Sequence, residues 1–177
     1  MRNVFPVEQF PFLLPVQEAW KEILGEYQAH IKLNSQSGLT NEPGLIWPWP
    51  EKRLYDKGWK TVGLIYKGRD DFRYTQEVKK HFPITNSIVR QVPKVYMAGF
   101  SILEPKTRIY PHKGYTLDVY RSHLGLICPK GPWMDVEGER VEWEEGKMFV
   151  FNDMVTHSVY NDSDEERVIL LLDFYKK

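Results

Sequence analysis

Three of the chain's five histidines, His112, His123 and His157, fall in its second half, and two of them stand where a metal could be held. A histidine on a strand is ordinarily structural. His112, however, follows Pro111 and precedes Lys113-Gly114 at a strand edge beside a turn, and His157 follows Asn152-Asp153-Met154-Val155-Thr156, a turn after a strand. Imidazole nitrogen suits iron(II), and facing strands of a jelly roll bring such distant positions together.

Other charged residues share this region. Arg121 and His123 are two apart on a strand and must point to one face, leaving Tyr120, Ser122 and Leu124 on the other. Ser101 sits at the end of a strand, and Arg167 opens the apolar run Val168-Ile169-Leu170-Leu171-Leu172. An arginine there either snorkels to solvent or forks onto a buried carboxylate.

The elements that must position these residues change character along the chain. Val16, Trp20, Ile23, Tyr27 and Ile31 recur at helical spacing and predict one amphipathic helix. Residues 34–50, rich in Ser, Asn, Gly and Pro, read as a long loop whose Trp47 and Trp49 either line a site or cover the core. A short helix over Thr75 to His81, with Thr75 as N-cap, follows. From Val92 onward come strands at Lys94 to Leu103, Val119 to Cys128, Lys147 to Asn152 and Arg167 to Tyr175, broken by Pro105, Gly131, Gly138 and Gly146. Short strands without βαβ alternation predict a mainly β (α+β) jelly roll or sandwich. The expected organisation is one domain over 1–177, with 1–91 helical and loop and 92–177 the β core.

Composition narrows the function. Lys+Arg and Asp+Glu are 24 each, so zero formal charge argues against a nucleic-acid partner. Cys128 alone forms no intrachain disulfide, which makes a cytoplasmic home the default expectation. Met1 to Leu14, interrupted by Pro6, Glu8 and Pro11, does not read as a signal peptide, and no apolar run reaches the roughly 18 residues of a membrane span.

Several segments together resemble the aspartyl/asparaginyl β-hydroxylase family: Ser101-Ile102-Leu103-Glu104-Pro105, Pro111-His112-Lys113-Gly114, Arg121-Ser122-His123-Leu124-Gly125-Leu126, Pro129-Lys130, Trp143-Glu144-Glu145-Gly146-Lys147, and Asp153 through His157 to Arg167. They cover most of 100–175; 80–83 and the first helix are similar only loosely. The resemblance implies a cupin-like double-stranded β-helix with N-terminal helices packed on it. It also implies an Fe(II), 2-oxoglutarate and O2-dependent dioxygenase that hydroxylates an unactivated C–H.

In most iron oxygenases of that fold a carboxylate lies two residues after the first histidine; this chain has Gly114 there, as the family resembled also lacks the carboxylate. The resemblance therefore assigns His112 and His157 as the only protein ligands to iron, with water in the vacant place. It assigns Arg167 to the distal carboxylate of 2-oxoglutarate, and Ser101, Arg121 and His123 to holding the same cosubstrate. Asp153 is expected to hydrogen-bond a metal-bound water. The implied substrate is a small molecule or peptide, foremost the β-carbon of an Asp/Asn-type residue, free, carrier-bound or in a peptide. The alternatives are a lipid A acyl-chain hydroxylase, a halogenase using the open corner at Gly114, and a non-catalytic cupin-like binding module. Oligomeric state is not legible.

Overall fold

In chain order the elements are β1 (Val4–Pro6), α1 (Leu14–Glu18), α2 (Trp20–Ser37), β2 (Trp47–Pro48), β3 (Trp59–Tyr66), α3 (Arg73–His81), α4 (Pro83–Arg90), β4 (Val95–Leu103), β5 (Arg108–His112), β6 (Val119–Ile127), β7 (Pro132–Val136), β8 (Glu139–Glu142), β9 (Met148–Phe151), β10 (His157–Asn161) and β11 (Arg167–Tyr175). The computed structural model describes residues 2–37 and 45–176, the side chains of 31–37 excepted. A seven-stranded sheet, ordered β1-β9-β6-β11-β4-β3-β2, faces a four-stranded sheet, β5-β10-β7-β8, and the named strands pair antiparallel. The architecture is the expected jelly roll with helices packed on it.

Period-two alternation sorts the large sheet into two faces. On its outer face Val168, Leu170, Leu172 and Phe174 of β11 join Leu124 and Leu126 of β6 and Phe100 and Ile102 of β4, all buried against Val16, Ile23, Tyr27, Val78, Phe82 and Val89 of the helices. The inner face puts Ile169, Leu171, Leu103 and Phe151 against Ile109, Met134, Val136 and Val159 of the smaller sheet. Because β11 is buried on both faces, its sequence is a near-continuous apolar run; Arg167 and Asp173 are its two charged, buried exceptions. Helix α4 is tied down by Glu26 of α2, whose carboxylate accepts from the Ile84 and Thr85 amides, each at 2.8 Å, and from the Thr85 hydroxyl at 2.6 Å. Donors left over at a helix start are thereby satisfied.

Several sequence expectations need correction. The 1–91 part is not only helix and loop: β1, β2 and β3 all join the large sheet, β3 along most of β4. The single amphipathic helix is two, broken at Ala19, whose φ of −81° and ψ of 12° leave the helical well. Residues 34–37 continue α2 rather than forming loop, while 38–44 lie outside the described residues. Thr75 is not an N-cap: α3 starts at Arg73, and the Thr75 hydroxyl donates back to the Phe72 carbonyl at 2.9 Å. Among the described residues no helix is long and apolar enough to cross a membrane.

The turn from β10 into β11 is held by Asn161, which is 1% exposed. Its Nδ2 donates to the carbonyls of Leu103, Glu104 and Glu165 at 3.0, 3.0 and 2.8 Å, and its Oδ1 accepts from the Ser163 amide and hydroxyl at 3.1 and 2.7 Å. Asn161→Ala strands several buried backbone groups, at about 1–3 kcal/mol for a buried polar group left without a partner. Urea denaturation of the variant is expected to show a loss of about 2 kcal/mol or more.

Candidate active site

β5 ends on His112 and β10 begins on His157, and the register between those strands sets the two residues opposite each other. Their ring centroids are 4.3 Å apart, inclined at 55°. Each ring is turned by its own backbone: His112 Nδ1 lies 2.7 Å from the Tyr110 carbonyl and His157 Nδ1 lies 2.9 Å from the Val155 carbonyl. A carbonyl only accepts, so both Nδ1 atoms carry the proton and both Nε2 lone pairs are left for a ligand. Burial lowers the pKa of both rings, with His157 brought down to about 3, so the pair is neutral near pH 7.

The two rings line a small chamber of about 20 Å³ together with Ser101, Arg121, His123 and Arg167, alongside Trp59, Met134 and Leu171. Six residues singled out in the sequence thus converge. The seventh, Asp153, is at the edge, with one carboxylate oxygen 3.6 Å from an Arg121 nitrogen. A space of about 20 Å³ holds about one water, so an organic ligand enters only as side chains give way.

Arg167 is 1% exposed, and among the described residues no carboxylate pairs with it. Its guanidinium lies over the Trp143 ring, 4.8 Å from the centroid, and its Nε has no hydrogen-bond partner. Burial pulls its pKa down to about 10. A buried cation left in this condition costs stability until an anion joins it. His123 has a complementary feature: Trp143 donates from Nε1 to His123 Nδ1 at 3.3 Å. The proton of this neutral ring therefore sits on Nε2, which is buried and unpartnered. Ser101 accepts from Trp59 Nε1 at 3.0 Å, leaving its hydroxyl proton to donate. Arg167, His123 and Ser101 together offer donors suited to an anion.

Arg121 is differently engaged. Its Nε and Nη2 fork onto Asp173 at 2.7 and 2.8 Å. Burial alone would lower the Arg121 pKa, but Asp173 and Asp153 raise it overall. Sequence reasoning missed Asp173 and Trp143. The signals were a lone carboxylate in the apolar run of β11, cross-strand from Arg121, and an indole in the Trp143-Glu144-Glu145-Gly146-Lys147 turn.

Gly114 is not in the left-handed region, so backbone strain does not explain it. A Cβ built on it would overlap the Asp153 carboxylate, and the Gly114 amide donates to the Asp153 carbonyl at 2.7 Å. Asp153 thus fills the space a side chain at 114 would take. Its Oδ1 is buried without a partner, and burial raises its pKa. Among the described residues no cluster of three or more His, Cys, Asp or Glu side chains is arranged to hold a metal, leaving the histidine pair.

A jelly roll with a histidine pair across two strands of its barrel is of the cupin type. Solved structures agree on the fold: a prolyl-4-hydroxylase from Pseudomonas putida superposes with a TM-score of 0.53 at 13% identity, covering 89% of this chain and 88% of that one. A predicted oxalate decarboxylase from Thermotoga maritima gives 0.50 at 12% identity, covering 73% and 91%. The chain belongs to the aspartyl/asparaginyl β-hydroxylase family, whose model matches residues 17–177. Among curated relatives, the human aspartyl/asparaginyl β-hydroxylase is 29% identical over 98% of this chain and 24% of its own length. An ornithine lipid ester-linked acyl 2-hydroxylase from Rhizobium tropici is 36% identical over 68% of this chain and 43% of its own. The chain spans less than half the length of these relatives.

Gly114→Asp, which on sequence grounds would rebuild a three-ligand face, meets the Asp153 carboxylate instead. The expected outcome is destabilisation by about 1–3 kcal/mol from overpacking and like charge. Gly114→Asp combined with Asp153→Gly should recover most of that loss. A double-mutant cycle by chemical denaturation measures the coupling.

Proposed function

We propose that the chain is an iron(II)- and 2-oxoglutarate-dependent hydroxylase acting on an unactivated C–H. The observation that carries this reading is the pairing of two neutral imidazoles with bare Nε2 atoms and, across the same chamber, a buried arginine without an anion. The donor set fits both groups: imidazole nitrogens suit iron(II), and a guanidinium with further N–H and O–H donors suits a carboxylate. Names of the relatives, hydroxylases of Asp/Asn residues and of a lipid acyl chain, support the same reaction class. Bound here, iron(II), O2 and 2-oxoglutarate would supply the chemistry, one oxygen atom entering the substrate C–H as hydroxyl and the other entering 2-oxoglutarate as it leaves as succinate and CO2.

The chain's own residues do the positioning. His112 and His157 would hold the metal through Nε2, their rings fixed by the Tyr110 and Val155 carbonyls, an arrangement that sets ring orientation and raises ligand basicity. Arg167 forks onto the distal carboxylate of the cosubstrate, with His123 Nε2–H and the Ser101 hydroxyl as additional donors. Arg121, its charge met by Asp173, stiffens the wall of the chamber. Asp153 Oδ1, buried without a partner, would accept a hydrogen bond from a water held beside a bound metal. A cytoplasmic setting belongs to the same proposal.

Two rivals are disfavoured by specific observations. A halogenase needs an open anion site at the position of Gly114, and that space is filled by a carboxylate, which repels halide. A cupin-like module without turnover gives no reason to retain an uncompensated buried arginine beside the histidine pair.

His112→Ala and His157→Ala are each expected to lose stoichiometric iron on anaerobic reconstitution, read by metal analysis, whereas His123→Ala keeps most of its iron and binds 2-oxoglutarate weakly. Arg167→Lys preserves charge but not the fork. Its 2-oxoglutarate affinity should fall by about 1.5–3 kcal/mol, the worth of a hydrogen bond to a charged group. Near-stoichiometric iron in either alanine variant, or parental cosubstrate affinity in Arg167→Lys, overturns the assignment.

A further inference from the structure

Beside the histidine chamber opens a cavity of about 430 Å³ that shares Arg121 with it. Its charged lining is Glu51, Asp153 and Asp173 against Arg121 and Lys67. The signs are nearly balanced, but the pairing is not. Arg121 forks onto Asp173 and comes no nearer to an Asp153 oxygen than 3.6 Å, too far for a hydrogen bond. One guanidinium between two carboxylates leaves a negative balance before Glu51 is added. Lys67 holds its Nζ 5.5 Å from the centroid of the Tyr66 ring, and among the described residues it pairs with no carboxylate.

Both unmatched acids have an oxygen with nothing to accept from. Asp153 is 2% exposed, and its Oδ1 is buried without a partner. Glu51 Oε2 is likewise buried and unpartnered, with Arg53 Nη2 at 3.9 Å on a side chain 78% exposed to water. So exposed a cation at that distance contributes little. A buried acceptor without a donor costs stability, and two on the wall of one cavity fit a ligand that brings donors. Burial raises the Asp153 pKa, with Arg121 acting against it, and a cation in the cavity would favour the ionised form further. A water beside a bound metal would not exhaust this carboxylate, which has about four lone-pair positions on its two oxygens.

The remaining wall suits the same charge. Tyr66, Tyr96, Tyr115 and Trp49 bring aromatic rings to the cavity, and ring faces attract cations, as Lys67 at Tyr66 already shows. The acids are also close to the histidine pair. Burial is the main cause that lowers the His112 pKa, and the Glu51 carboxylate is among the weaker influences that raise it, so Glu51 is within electrostatic reach of that ring.

We propose that this cavity is a subsite for an organic cation, the ammonium or guanidinium end of the substrate, held between Glu51 and Asp153 with the tyrosine rings around it. That the cation belongs to a substrate rests on the hydroxylase reading; that it binds does not. The C–H presented to the histidine pair then lies a short chain away from a positive charge. An aspartate side chain, foremost in the sequence reading, would bring a further carboxylate against Glu51 and Asp153.

The test begins with the metal-free protein at low ionic strength. Nα-acetyl-lysinamide and Nα-acetyl-argininamide are titrated by calorimetry against the neutral norleucine analogue and the anionic glutamate analogue. Both cations should bind at least about tenfold more tightly than the norleucine compound, the worth of a hydrogen bond to a charged group, and the glutamate compound most weakly. Putrescine, run alongside, separates a free amine from a basic side chain carried on a backbone, since the tighter binder names the source. Glu51→Gln keeps the shape and removes the charge. It should weaken both cations about tenfold and leave the norleucine compound at parental affinity. Asp153→Asn should weaken the cations likewise, and should it fail to fold, Glu51→Gln at its partly exposed position keeps the test decisive. Equal affinity for charged and neutral probes, or parental cation affinity in Glu51→Gln, overturns the proposal.

A second arm separates the subsite from the reaction. The iron-loaded enzyme with 2-oxoglutarate and O2 should add one oxygen to the cation that binds best, read as a mass gain, with a raised KM in Glu51→Gln. Charge-selective binding by a protein that retains no iron supports the subsite and sinks the hydroxylase reading. Oxygen gain on an Asp-containing peptide but on none of the basic probes keeps the hydroxylase and overturns the cationic substrate.

Discussion

The pairing of β5 with β10 is the constraint on which the site depends. Side chains alternate with a period of two, so a slip of one residue would turn His112 or His157 to the other face of its strand and take one imidazole out of the chamber. The register is guarded on both flanks: β10 also pairs with β7 over five residues, and Val159, Met134 and Val136 bury their side chains in the inner core. The apolar residues that close the barrel thus hold the histidine pair in register, and stability and the geometry of the pair are specified by the same contacts.

Charge inside the barrel is handled in two ways. Arg121 and Asp173 face each other across neighbouring strands and satisfy one another with a bidentate fork, so this pair needs nothing from outside. Arg167, on the same face of β11 as Leu171, pairs with no carboxylate among the described residues and lies over the face of Trp143. A compensated and an uncompensated arginine in one cavity divide the labour: the first stiffens the wall, and the second makes the cavity electropositive. Trp143 serves both purposes on that side, covering the guanidinium and fixing the proton of His123 on Nε2.

Much of this was legible because it is periodic or local. The last strand, Arg167 to Tyr175, matches β11 at both ends, and the two-residue spacing of Arg121 and His123 does place both in the chamber while Leu124 goes to the helix side. What was not legible depends on distant neighbours. β3 escaped notice because Gly63 and Lys60 interrupt its alternation, and only pairing with β4 secures it. Thr75 has the chemistry of a cap, but the start of α3 is set two residues earlier. Nothing local to Arg121 announces Asp173, 52 residues away. Nor does Gly114 reveal from its own surroundings in sequence that the carboxylate of Asp153, from the turn after β9, fills its place.

That substitution of one turn's side chain for another's has an evolutionary corollary. Asp153 and His157 lie on a single short stretch of chain, so acid and second imidazole are inherited together, while β5 has to contribute only one imidazole and a bare backbone. The corner is modular. A graft of 152–157 onto another barrel would carry the carboxylate and the imidazole in one piece, provided the recipient strand offers a glycine to admit it. The glycine is then a compatibility key, and a barrel with a bulkier residue at that position would reject the transplanted loop on steric grounds alone.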